Sequence, residues 1–220
     1  MTNSVFHSAV PVGNTLKPMV GQVVKVALAA WLAAVVILAS RNVFGQGAPG
    51  QPPLAVFAGA VVPLILFGAA MRMSQALREF LLALDIRWIV GIQAWRYAGF
   101  GFLALYANHV LPGLFAWPAG LGDMAIGIVA PWWIVTLVKN PDAVASARFR
   151  LWNALGMLDF VIAFTTATIC AMTITDPAAP SMAPVGQLPL VLIPVFMVPL
   201  FVMLHIIALL QSGKAKESIG

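Results

Sequence analysis

Long apolar runs alternate with short polar connections along this chain. A helix that crosses a bilayer needs about 20 predominantly apolar residues, at about 1.5 Å of rise each. Six stretches come close to or exceed that length: residues 23–40, 53–71, 88–108, 114–138, 149–172 and 188–211. Inside hydrocarbon every backbone N–H and C=O must be satisfied within its own segment, so each run is read as a helix rather than a strand. The expectation is an all-α, polytopic membrane bundle of six transmembrane helices, with residues 1–220 forming a single transmembrane domain. The third, fourth and fifth runs are interrupted by charged residues, which sets them apart from the others.

Between the second and third runs the periodicity changes. Leu77, Phe80, Leu81, Leu84 and Trp88 recur at helical spacing, while Arg72, Gln75, Glu79 and Asp85 take the opposite side. That pattern over residues 72–87 predicts an amphipathic helix in the membrane interface or a packed extension of the second span. The stretch 173–187 holds Pro177, Pro180 and Pro184 and reads as an irregular loop.

Composition supports the membrane reading. Of the 220 residues 61% are hydrophobic and only 9% charged, whereas soluble domains are nearer a quarter charged. The net charge of +5 does not point to nucleic acid, because the basic residues are scattered among separate loops. Their distribution instead predicts orientation. Lys17 and Lys25 precede or begin the first span, Arg72, Arg78 and Arg87 fill the second loop, Lys139, Arg148 and Arg150 the fourth, and Lys214 and Lys216 the tail. Arg41 alone lies in the first loop. Cytoplasmic loops collect Lys and Arg, so both termini are expected in the cytoplasm, in the inner membrane if the source is bacterial. Trp88, Trp132, Trp133 and Trp152 are expected near the inner interface, and Tyr106 and Trp117 near the outer one; Trp31 fits neither belt. The first run also has a rival reading as a cleaved signal peptide, since Lys17 and Lys25 lead into an apolar stretch ending in Leu38-Ala39-Ser40.

Two internal similarities suggest duplication. Pro53-Leu54 and Val62-Pro63-Leu64 recur as Pro189-Leu190 and Val198-Pro199-Leu200, and Trp95-Arg96 with Gly99 recurs as Trp152-Asn153 with Gly156. These predict three parallel helical hairpins, as in transporters built from repeats, or are coincidence in a Pro-rich apolar chain.

The candidate chemistry lies in the polar residues within the runs. Arg96, Asp123, Asn153, Asp159 and His205 all fall inside predicted spans. A charge at a helix centre costs about 2.5–3.5 kcal/mol on insertion scales, so such groups face a bundle interior or a water-filled path and pair there. At 1.5 Å per residue Arg96 and Asp159 fall within one turn of the same depth. The five are expected to line a path for a small solute or proton, with His109 at its outer mouth. An anionic group would meet Arg96; a proton would use Asp159 or His205, whose ordinary pKa near 6.5 suits exchange. The plainer reading is an Arg96–Asp159 pair joining two helices, with Asn153 and His205 as hydrogen-bond glue. In the fourth span Pro118, Gly120 and Gly122 crowd against Asp123. They predict a helix break at a binding site, or alternatively a small-residue packing face formed by Ala116 and Gly120.

Several chemistries are disfavoured. His7, His109 and His205 are too far apart in depth for a bis-histidine haem, although a haem with a methionine ligand stays open. H-E-x-x-H, G-x-S-x-G and the G-x-x-x-x-G-K-[ST] phosphate loop are absent, as is a Cys/His metal cluster. One cysteine, Cys170, rules out an intrachain disulfide and a dithiol mechanism. No cofactor is predicted. The leading expectation is a transporter or permeation pathway in the lipid bilayer. The alternative is a structural, anchoring or assembly subunit, with a second copy or a membrane complex as partner. A membrane enzyme using Asp123 and Asp159 as lone carboxylates comes third.

Overall fold

The computed structural model describes residues 13–45 and 50–219, with side chains from residue 18 to residue 217 in those ranges. His7 and the side chain of Lys17 therefore lie outside the described residues. The fold is helical, with no strand among those residues: α1 (Gly13–Ser40), α2 (Leu54–Met73), α3 (Gln75–Leu82), α4 (Ile86–Ile92), α5 (Phe100–Ala107), α6 (Gly113–Lys139), α7 (Ala147–Thr173) and α8 (Val198–Ile219). Five helical stretches are long and apolar enough to cross a membrane: Pro18–Ser40, Leu54–Met73, Gly113–Lys139, Ala147–Thr173 and Ile193–Glu217.

The run expected to form the third span is built differently. Residues 86–107 stay helical throughout but change pitch: α4 passes into a 3-10 helix over Gln93–Gly99, and α5 resumes the α form. Seven residues is long for a 3-10 segment, because its hydrogen bonds are poorly aligned and side chains three apart eclipse one another. Here the eclipsed row is Gln93, Arg96 and Gly99, and all three are buried.

The amphipathic stretch forms a helix of its own. Ser74 stands in extended backbone after α2 and its Oγ accepts the Leu77 N–H at 3.2 Å, capping α3. Leu81 is buried, Leu77 and Phe80 are half-buried, and Gln75, Arg78 and Glu79 are exposed. Gln211 of α8 donates to the Leu81, Leu82 and Leu84 carbonyls where α3 ends. Trp88 departs from the predicted face and is exposed, because the helix stops at Leu82 and restarts at Ile86 with a new phase. Asp85 caps that restart, its carboxylate accepting the Arg87 N–H. The Arg87 guanidinium beside it holds the carboxyl below the usual carboxylate range.

The expected break in the fourth span is absent. α6 runs unbroken from Gly113 to Lys139 through Pro118. Proline there removes a single bond, to the carbonyl of Leu114 in the first turn. Gly120 and Gly122 serve close packing instead. A Cβ at Gly120 would sit 3.1 Å from the Gly99 carbonyl oxygen, and one at Gly122 would collide with the Asp159 carboxylate. About two turns beyond Gly120, a Cβ at Gly127 would lie 2.5 Å from the Tyr97 nitrogen. Small residues thus let α6 lie backbone to backbone against the 3-10 segment.

α6 packs on the 86–107 run and on α7, and α7 packs on α8. α1 rests mainly on α3 and on the π-helical turn Ile193–Met197, rather than on α2, so three like-packed hairpins are not what the contacts describe. Two of the tryptophans expected in an interfacial belt point inward. Trp133 and Trp152 are buried against Phe149, with ring centroids 5.1 and 6.1 Å away, while Trp132 is exposed. Trp31, which fitted neither belt, packs on Phe196 at 4.5 Å.

Candidate functional site: a polar cluster around Arg96

The 3-10 row turns Arg96 into the centre of the bundle, where its side chain is fully buried. Three helices supply its partners. Nε donates to Asp123 Oδ1 of α6 at 2.7 Å, and Nη2 donates to Asp159 Oδ2 of α7 at 2.5 Å. Nη1 donates to the Gly156 carbonyl at 3.1 Å and lies 3.1 Å from His205 Nε2 of α8. The guanidinium carbon stands 4.0 Å over the Phe160 ring, adding a cation–π contact. Every nitrogen of the guanidinium is engaged.

The hydrogen-bond chain assigns the histidine tautomer. A guanidinium only donates, so His205 Nε2 must accept and carries no proton. Nδ1 then holds the proton and donates to Asn153 Oδ1 at 2.8 Å, and Asn153 Nδ2 donates to the Phe149 carbonyl at 2.9 Å. A protonated imidazole would set two donors against each other. Trp152 closes this side, edge-on to the His205 ring at 5.7 Å.

Local sequence explains the convergence. Asn153, Gly156, Asp159 and Phe160 recur at spacings of three and four, which stacks them on one face of α7. Gly156 exposes its carbonyl and leaves room for the ring: a Cβ there would land on the His205 imidazole. Asp123 sits on the α6 face between Gly120 and Gly127 that meets the 3-10 segment.

The five residues singled out from the sequence, Arg96, Asp123, Asn153, Asp159 and His205, therefore meet in a single network. His109 does not join it; it is exposed in the turn after α5, with φ at +57°. Sequence reasoning missed Gln93, Gly156, Trp152 and Phe160. Gln93, three residues before Arg96, carried a signal: it is buried on the same row and donates to the Phe201 carbonyl at 3.2 Å, while its Oε1 has no protein partner. Phe160 carried none, being one apolar residue among many in its span.

Counting charges, one guanidinium faces two carboxylates, and the imidazole in this tautomer is neutral. The cluster carries a formal charge of −1 when both carboxylates are ionised. Asp123 also borders a chamber of about 70 Å³ otherwise walled largely by apolar side chains, among them Phe102, Phe115, Phe160 and Phe164. Among the described residues no group of three or more His, Cys, Asp or Glu is arranged to hold a metal.

No curated protein and no solved structure matches the chain. A family model described as Domain of unknown function (DUF8737) matches residues 53–211; that stretch runs from the start of α2 well into α8 and holds every residue of the cluster, and the chain belongs to this family.

Proposed function

We propose that this is a six-span membrane protein with both termini in the cytoplasm, and that it carries a small solute or a proton through the bilayer by way of the Arg96 cluster. The sixth span in this reading is the 86–107 run, whose 3-10 segment presents Arg96. The carrying observation is the unequal charge at the centre of the bundle: one guanidinium between two carboxylates, with Asp123 open to a chamber. Buried ionisable groups of this kind mark substrate and proton paths more often than passive packing. A brace between helices would need only one carboxylate for one arginine.

The test is flux through proteoliposomes with the ion pair reversed, Arg96→Asp together with Asp159→Arg. The reversed protein is expected to fold and to lose most of its flux, because the site's charges then face the wrong way. Full flux from a stable reversed protein would sink the reading.

A second reading, as an assembly subunit, has its own observation. In α1 only 6% of the apolar window is buried within the chain, which leaves a bare helix for a partner. Purification in mild detergent separates the two, since a stoichiometric partner protein is expected only of a subunit.

A further inference from the structure

α2 and α7 stand side by side without close packing; α2 leans on α8 and the π-helical turn, and α7 on α6 and α8. A groove of about 600 Å³ lies between them, open on the outside of the bundle and lined by side chains such as Phe57, Val61, Leu64, Val161 and Thr165. Phe57 and Phe164 bridge it, with ring centroids 5.5 Å apart. Behind that pair is the chamber that ends at Asp123. Phe160, Phe164, Thr168 and Val198 line both spaces, so groove and chamber adjoin.

From this arrangement we infer that the protein binds an amphiphile with an apolar chain and a compact cationic head, taken from the lipid between α2 and α7. The inference rests on the cluster being a solute site, and names the class of solute. The chain lies in the groove, whose walls are apolar apart from Thr165 and Thr168, and those hydroxyls are bonded to carbonyls of their own helix. The head passes Phe57 and Phe164 into the chamber, which has room for a group of a few heavy atoms, and meets Asp123. Asp123 Oδ1 already accepts from Arg96, while Oδ2 is in no hydrogen bond among the described residues. With both carboxylates ionised, a cation there cancels the formal −1 charge, whose isolation in an apolar interior is costly. The phenylalanine walls suit a cation as well, and an anionic head would face the Asp123 carboxylate.

The test uses the full chain in phosphatidylcholine nanodiscs, with radiolabelled dodecylammonium as probe and dodecanol and dodecanoate as competitors. Saturable binding is expected, with each competitor weaker by about tenfold or more, the scale of one charge-assisted hydrogen bond. Asp123→Asn is expected to weaken binding by about the same factor. Because that variant also loosens Arg96, Val61→Trp provides an independent arm: it fills the groove from the lipid side, leaves the cluster intact, and is expected to reduce binding to a similar degree. Equal competition by dodecanoate, or unchanged binding in Val61→Trp, overturns the inference. Flux that depends on Arg96 without dodecylammonium binding removes the amphiphile and leaves the transport reading standing. Asp123-dependent binding without flux of any solute does the reverse.

Discussion

At the scale of single residues, Arg96 is the group that ties three helices into one polar cluster. Its charge is affordable in the bundle only because Asp123 and Asp159 answer it. Arg96→Met leaves the buried Asp159 and the half-buried Asp123 carboxylates with no counter-charge, and truncating one side of a buried pair costs about 3–5 kcal/mol. Replacing all three charges together, as Arg96→Met with Asp123→Asn and Asp159→Asn, removes the conflict and is expected to restore most of the loss. Thermal unfolding in detergent checks both outcomes. A single Arg96→Met variant as stable as the parent would mean that the cluster does not brace the bundle. A neutral triple variant that folds but passes no solute would place the charges in function. Of this site the sequence disclosed the ionisable members, because a charge within an apolar run stands out in any hydropathy reading. It did not disclose Phe160, whose contribution lies in where its ring falls beneath a guanidinium from another helix.

Helical elements show where local rules were overridden. Pro118, Gly120 and Gly122 are strong breakers by propensity, yet α6 continues through them. In a bilayer helices gain no hydrophobic energy by meeting each other, so close van der Waals approach and hydrogen bonds hold them, and small residues make that approach feasible. The irregularity lies instead at Gln93–Gly99, a stretch whose only residue of that kind is its last. Tighter winding there lines up Gln93, Arg96 and Gly99 against the α6 glycines, and it is the pairing of the two elements that selects it. Pro118→Ala should therefore be mild: a change in stability of no more than about 1 kcal/mol, since one hydrogen bond near the helix start is at stake. Flux should be unaffected. Abolished flux in a stable Pro118→Ala protein would restore the idea of a working break in α6.

For the whole molecule the proposed topology requires that residues 86–107 cross the bilayer. Residues 73 and 108 flank that run, and Met73 and Asn108 are both exposed. In a Cys170→Ala background, Met73→Cys and Asn108→Cys should react with a membrane-impermeant maleimide from opposite sides, Met73→Cys from the cytoplasm. Labelling of both from one side would leave five crossings and undo the predicted placement of the basic loops.

Hydropathy and charge placement are properties of contiguous residues. The sequence by itself therefore determined the helical class, the position of each long apolar run, the amphipathic helical pattern that follows the second run and the residues able to carry charge chemistry. Only the tertiary structure decided that residues 96, 123, 153, 159 and 205 share one network, that His109 stands outside it, that Trp133 and Trp152 turn inward, and that the pitch changes at Gln93 rather than at Pro118. Each of those outcomes depends on which helix lies beside which and at what distance. Side-chain contacts between residues dozens of positions apart, not any local pattern, set that arrangement.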